Sequence, residues 1–316
     1  MAEDVITGAE SLVLAAVRSG VRVCFANPGT TEMPLVAALD RVRGVRAVLG
    51  LHENVCTGAA DGYARIAERA AMTLLHLGPG LANGLANLHN ARRANTPLVN
   101  VVGDHASWHL PYDAPLTSDI AALAATVGTV HHVSDRAGLS DATSGAVREA
   151  HRRRGVSTLI VPADHQQAHA ARTLTSPGLP TRRPAVDSDQ IKDVAARLRA
   201  ARRSVLLLGG NALTRSGQRA AGMIAADTGS TLYCETFPAR VERGGGLPAI
   251  DRLPYFPETA AACCGRPTWW SSRARRTRSR TSATKASRAC SPNRARWSAW
   301  QARSRTPRKP CSSWPT

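Results

Sequence analysis

Hydrophobic positions in the first 170 residues alternate between two periods. Apolar runs of about six residues, the length of a buried strand, are separated by stretches where apolar residues recur every three or four positions, as on one face of a helix. Ala9, Leu12, Val13, Ala16 and Val17 make the first such stripe. It opens at Thr7-Gly8-Ala9-Glu10, a capping box whose hydroxyl and carboxylate each satisfy an orphan backbone N–H, and Gly20 closes it. Residues 21–26 read as a buried strand leading into the turn Asn27-Pro28-Gly29. Further strands are expected near 45–50, 71–76, 97–102, 128–133 and 157–161, and helices near 32–40, 53–69, 81–94, 118–125 and 136–153. Short apolar strands alternating with amphipathic helices predict an α/β fold, a parallel sheet flanked by helices on both faces.

The pattern divides the chain. Residues 1–170 form the first domain, and 171–187, with Pro177, Gly178, Pro180 and Pro184, read as a linker. A second α/β unit occupies 188–262. Ile191, Val194, Ala195 and Leu198 stripe a helix; a strand over 204–208 ends at Gly209-Gly210-Asn211; a helix over 216–228 and a strand over 230–235 follow. So small a unit would leave a sheet edge and an apolar face open, so the second domain is expected to be incomplete.

Charge changes the picture only at the end. Residues 263–316 hold 12 Arg and 2 Lys with no Asp or Glu, which is +14 of the net +18. They contain no Leu, Ile, Val, Met or Phe, yet five of the six Trp, and no packed domain is built from such a composition. The tail has three readings: a nucleic-acid arm, a disordered basic extension, or a stretch translated out of frame. The genetic code favours the last. Read one base upstream, Cys264 becomes Leu, and Trp269-Trp270-Ser271-Ser272 with TCN serine codons becomes four apolar residues with Val-Val at its centre. That would be a buried strand following a helix opened by Pro257-Glu258-Thr259-Ala260. The chain is therefore read as C-terminally truncated, with a tail that carries no function.

No run of 18 apolar residues occurs, and Met1-Ala2-Glu3-Asp4 leads straight into a helix pattern, so a cytoplasmic protein without a signal peptide is expected. The seven cysteines form no CxxC pair, which argues against a disulfide framework or a zinc site. Cys24 and Cys56 fall on apolar positions and belong to the core.

Open parallel sheets bind ligands at the carboxyl ends of their strands. Residues 27–34, 51–54, 76–84 and 103–109 occupy such ends. Gly78-Pro79-Gly80-Leu81-Ala82-Asn83-Gly84 has three residues where a dinucleotide loop has two, and no suitably placed acidic residue follows, so it reads as a tight turn into a helix rather than a nicotinamide site. That helix N-terminus could still host an anion. Glu53 sits where a first-turn carboxylate complements the helix dipole. His52 and His76 read as turn residues, and Thr30-Thr31 as N-caps. Asp104, His105 and His109 form a polar cluster after a strand.

In order, Phe25-Ala26-Asn27-Pro28-Gly29-Thr30-Thr31-Glu32-Met33-Pro34, Leu51-His52-Glu53-Asn54, Ala60-Asp61-Gly62-Tyr63-Ala64-Arg65, Gly78-Pro79-Gly80 and residues 97–103 resemble the pyrimidine-binding domain of thiamine-diphosphate-dependent enzymes. The likeness is to acetolactate synthase large-subunit-like proteins, with benzoylformate decarboxylase a near relative. It covers residues 5–170 and, more loosely, 188–262.

This resemblance implies thiamine diphosphate as cofactor, bound by Glu53, Asn27, Pro28, Gly29, Gly80 and Asn83. It gives Glu53 a catalytic role: its carboxylate hydrogen-bonds the aminopyrimidine ring and favours the imino tautomer, whose exocyclic nitrogen takes the thiazolium C2 proton. Apolar neighbours Leu51 and Val55 would raise its proton affinity. His76 matches an active-site histidine that acts as acid or base, and Thr30, Asp104 and His105 are placed on the substrate side. The implied reaction is decarboxylation of a 2-keto acid such as pyruvate and transfer of the carbanion to a second keto acid, as in branched-chain amino acid biosynthesis. The alternative is a benzoylformate-type decarboxylase, which His76 and Thr30 favour. The non-enzyme alternatives are an inactive partner subunit and a nucleic-acid binder using the basic tail. Family members are homodimers or tetramers with sites between subunits, hold Mg²⁺ through a Gly-Asp-Gly segment and a downstream Asn, and in some cases bind FAD. Neither Mg²⁺ anchor occurs after Ala262, so no metal-binding residue is assigned and the chain alone is expected to be inactive.

Overall fold

The computed structural model describes residues 5–133, 138–170, 186–264 and 269–271. The chain opens with β1 (Ile6–Thr7) and α1 (Gly8–Arg18), and the predicted capping box is formed. The Thr7 N–H donates to Glu10 Oε2 at 2.9 Å, and the Glu10 N–H donates to Thr7 Oγ1 at 3.2 Å. There follow β2 (Val23–Asn27), α2 (Met33–Arg41), β3 (Arg46–Leu49), α3 (Glu53–Ala67), β4 (Ala71–Leu75), α4 (Leu77–Ala94), β5 (Leu98–Asp104), α5 (Ile120–Ala125), β6 (Gly128–His132), α6 (Leu139–Arg153) and β7 (Val156–Pro162). The six strands β2 to β7 form one parallel sheet in the order β3-β2-β4-β5-β7-β6.

Alternation along each strand sends side chains to two separate layers. Cys24, Ala26, Met72, Leu74, Val99 and Val101 pack beneath α1, α2 and α6. Val23, Ala71, Leu75, Leu98 and Val102 pack beneath α3, α4 and α5, where Cys56 also lies. Covering both faces is why the strands read as unbroken apolar runs. One polar row crosses the buried centre. Thr73 Oγ1 donates to Asn100 Oδ1 at 2.7 Å, and Asn100 Nδ2 donates to Thr158 Oγ1 at 3.3 Å. Each group satisfies the next, which is the condition for burying them.

Two features depart from the pattern. The fourth helix begins at Leu77 rather than near 81, so Gly78-Pro79-Gly80 is its first turn and not a loop. Leu77 takes φ 48°, a left-handed conformation that costs a non-glycine residue about 1 kcal/mol, and the Gly80 N–H then bonds to His76 O at 2.8 Å. Pro79 is tolerated because first-turn nitrogens need no helical acceptor. Beyond β7 the chain forms α7 (Ala163–Gln167) and β8 (His169–Ala170), and β8 pairs antiparallel with β1 to join the two ends of the unit. Two-residue strands leave no periodicity to read.

The second unit comprises α8 (Ser188–Ala200), β9 (Ser204–Leu208), α9 (Arg215–Thr228), β10 (Thr231–Cys234), β11 (Asp251–Arg252), α10 (Pro257–Cys264) and β12 (Trp269–Ser271). Its four strands are parallel in the order β11-β10-β9-β12. Elements therefore continue past position 262, and β12 lies at the strand position that the neighbouring-frame reading of the sequence singled out. The rest of 263–316, with all three readings of the tail, and residues 171–185 of the linker lie outside the described residues. Arg65, clasped to Asp61, donates from Nη1 to Ala239 O at 3.2 Å, and Arg240 Nη1 lies 3.7 Å from Glu68 Oε1, so the end of α3 touches the second unit. Among the described residues no helix is long and apolar enough to cross a membrane.

Candidate functional site

The chain runs from β2 out to the edge strand β3, then back across to β4 on the other side of β2. Such a reversal parts the connections to opposite faces and leaves a crevice outside the carboxyl ends of β2 and β4. Asn27–Gly29, Thr30, Glu53, His76, Gly80 and Asn83 come from the segments that converge on this edge. Asn27 Nδ2 donates to Gly50 O at 2.7 Å, which ties the turn after β2 to the loop entering α3. Thr30 is exposed and opens a short 3₁₀ turn, Thr30–Glu32, with no hydroxyl cap made to α2.

Glu53 is the first residue of α3. His52 caps that helix, its Nδ1 accepting from the Asn54 N–H at 3.1 Å, so its ring is used in the backbone and not in the crevice. Glu53 Oε2 accepts from Asn83 Nδ2 at 3.0 Å. Oε1 has no hydrogen-bond partner among the described residues. A Cβ at position 80 would stand 3.2 Å from that oxygen and 3.4 Å from His76 Cβ, so glycine here keeps open the space between the two side chains. The expected apolar wrap is not present: Leu51 is 92% exposed and Val55 60%, because both point away from the core at the start of α3.

One group at the centre of the crevice was not singled out from the sequence. Glu32 is fully buried. Its Oε2 accepts from the Gly29 N–H at 2.8 Å and lies 2.7 Å from His76 Nδ1; its Oε1 accepts from Thr31 Oγ1 at 2.6 Å. Two glycines make room for the pair. A Cβ on Gly103 would stand 2.6 Å from Glu32 Cδ, and a Cβ on Gly29 would overlap the His76 ring. The signal available in the sequence was spacing. Gly29 to Glu32 repeats the interval of Thr7 to Glu10, with the carboxylate again reaching back to a free N–H.

Asp104 ends β5 and accepts from the His105 N–H at 2.8 Å. Burial is the first cause that pushes its carboxyl above the usual range, the Glu32 charge adds to it, and the His105 contacts oppose it. His105 Nε2 accepts from the Leu116 N–H at 3.3 Å, and its ring meets His109, which stacks on Trp108. His105 therefore braces the 105–118 loop. Asp164 anchors that loop from α7 by accepting from Ser107 N–H at 2.9 Å and Ser107 Oγ at 2.6 Å. Among the described residues no group of three His, Cys, Asp or Glu side chains is placed to hold a metal ion.

Residues 6–131 match the family model described as "Thiamine pyrophosphate enzyme, N-terminal TPP binding domain". Over 261 residues the chain is 51% identical to an acetolactate synthase large subunit-like protein of Mycobacterium tuberculosis, covering 81% of this chain and 50% of that one. Over 101 residues it is 36% identical to benzoylformate decarboxylase of Pseudomonas aeruginosa, covering 32% of this chain and 19% of that one. The fold is that of a thiamine diphosphate-dependent 4-hydroxybenzoylformate decarboxylase from Rhodococcus jostii RHA1, with a TM-score of 0.73 at 23% identity over 84% of this chain and 51% of that one. The chain spans about half the length of the Mycobacterium tuberculosis protein and of the Rhodococcus jostii structure.

Proposed function

We propose that this chain, which carries the N-terminal TPP-binding domain of the thiamine pyrophosphate enzymes, belongs to a protein that uses thiamine diphosphate to decarboxylate a 2-keto acid such as pyruvate and pass the carbon unit to a second keto acid. The 51% identity to an acetolactate synthase large subunit-like protein supports the acetolactate-type outcome. The observation that carries the reading is the Glu53 carboxylate at the switch-point edge, with Oε2 steadied by Asn83 and Oε1 left without a partner.

The residues present fit an aminopyrimidine. A carboxyl oxygen with no partner among the described residues can share one proton with the pyrimidine ring nitrogen, and Gly80 leaves the approach open. When bound, the cofactor supplies the electron sink for the carbon left by decarboxylation. Glu53 orients the ring and holds a proton at Oε1. His76 takes or gives a proton in the same crevice, and Thr30 and Asp104 line its substrate side. Exposed Leu49, Leu51 and Val55 flank Glu53 on an otherwise polar helix entry, as expected if a second copy closes the site in a homodimer or tetramer. Mg²⁺ and the diphosphate require anchors other than those among the described residues.

A benzoylformate-type decarboxylase, releasing an aldehyde, is the second reading. The placement of His76 beside a buried carboxylate favours it, because protonation of the product carbon needs a positioned acid.

The test follows exchange of the thiazolium C2 proton for deuterium by NMR, with thiamine diphosphate, Mg²⁺ and a full-length version of the protein that carries the diphosphate anchors. The wild type should accelerate exchange, and Glu53→Gln should cost about 10²-fold or more of that acceleration. Equal rates in both would overturn the assignment of Glu53.

A further inference from the structure

His76 meets two different environments. Nδ1 faces two oxygens, Glu32 Oε2 at 2.7 Å and Thr31 Oγ1 at 3.3 Å. Thr31 has one hydroxyl proton, and it is given to Glu32 Oε1 at 2.6 Å, so Thr31 presents only lone pairs to the ring. An ionised Glu32 likewise only accepts. With acceptors on both sides, the proton shared between them must be the ring's own, on Nδ1. Nε2 has no partner among the described residues, and the side chain is 25% exposed toward the crevice.

The backbone supports the same arrangement from three directions. Gly29 lets the imidazole lie against the turn after β2, and Gly103 receives the Glu32 carboxylate. Leu77, which follows His76 at the start of α4, holds a left-handed conformation. Strain and close approach gathered on one pair of side chains mark a place where geometry is held at a cost in stability.

We propose that Glu32 is the positioning residue for His76, fixing the Nδ1–H form so that Nε2 is the one nitrogen able to exchange a proton in the crevice. The use made of that proton rests on the 2-keto acid reading above; the tautomer does not. Of the acidic side chains at this edge, Glu32 from the turn after β2 meets the ring at Nδ1, Glu53 from the start of α3 and His76 Cβ flank the space that Gly80 keeps open, and Asp104 from the end of β5 interacts with Glu32, His105 and His132. Glu32 alone touches the imidazole.

The experiment is long-range ¹⁵N–¹H NMR of the full chain with labelled histidine, His76 being assigned by its absence in His76→Gln. Wild-type His76 should show a protonated Nδ1 and a bare Nε2. Glu32→Gln keeps the side-chain volume and offers an amide oxygen to the same donors, so the tautomer should persist. Glu32→Ala should release the ring to a mixture in which Nε2–H predominates. A wild-type ring protonated at Nε2 with Nδ1 bare, or a Glu32→Ala ring that keeps the wild-type Nδ1–H form, would overturn the proposal. Where Glu32→Ala does not fold, the tautomer of the wild type and of the isosteric Glu32→Gln variant decides, and Nε2–H in either one overturns the proposal. Loss of C2-proton exchange in Glu53→Gln reports on the functional reading instead, so the two failures are distinct.

Discussion

The two α/β units are built from the same alternation, but among the described residues only the first buries carboxylate side chains. In the first, both sheet faces are covered, and two apolar layers clamp the strand ends from either side. A carboxylate at such an end, Glu32, is fully buried and wholly committed to donors. In the second unit the core among the described residues is one small cluster around Leu206, Leu208, Leu213 and Leu232. A sheet packed on both faces resists the relaxation that would let water reach a buried carboxylate. The difference teaches that the site's electrostatics depend on layers lying well away from it.

That contrast can be broken by experiment. The largest effect is expected from truncating the cores. Leu88→Ala, at a fully buried position between α4 and its neighbours, should cost about 3 kcal/mol in urea unfolding, whereas Leu206→Ala, at the margin of the smaller cluster, should cost about 2. Equal losses at the two positions would remove the claimed difference in packing. A smaller effect should come from Thr7→Ala, which deletes the hydroxyl that caps α1 and should cost about 1 kcal/mol in the same assay. No loss would mean that the ribbon of β1 and β8 holds that end by itself.

The smallest effect sharpens the electrostatic side. Burial first, and the Glu32 charge after it, raise the folded-state value of Asp104 above its unfolded one. A carboxyl so raised contributes stability below the unfolded value and loses it as pH climbs through the folded one. Asp104→Asn should therefore stabilise the chain more at pH 7 than at pH 4, as read from denaturation midpoints at the two values. A gain independent of pH would mean that the fold does not raise the Asp104 carboxyl above its ordinary range.

Much of the architecture was legible because it depends on local periodicity. The stripes and runs placed every long helix and strand of the first unit within a few residues, and the Thr7–Glu10 box could be read directly. The family-like segments located the crevice, since residues at four strand ends can share only one edge of a parallel sheet. Legibility ended where a feature depends on contacts distant in sequence. Helix α4 starts early because Leu77 accepts a strained turn that its packing stabilises. The β1–β8 pairing joins segments more than 160 residues apart. Leu51 and Val55 looked like wrapping for Glu53 and instead face outward.

By itself, then, the sequence determined the parallel sheet, the order of its elements and the set of segments that meet at the carboxyl edge, because hydrophobic period and turn chemistry are properties of neighbouring residues. Only the tertiary structure decided which of the edge groups are coupled. Glu32 and His76 lie 44 positions apart, and nothing in either segment names the other as its partner. They meet because β2 and β4 pair at the point where the connection reverses, with two glycines leaving no Cβ in the way.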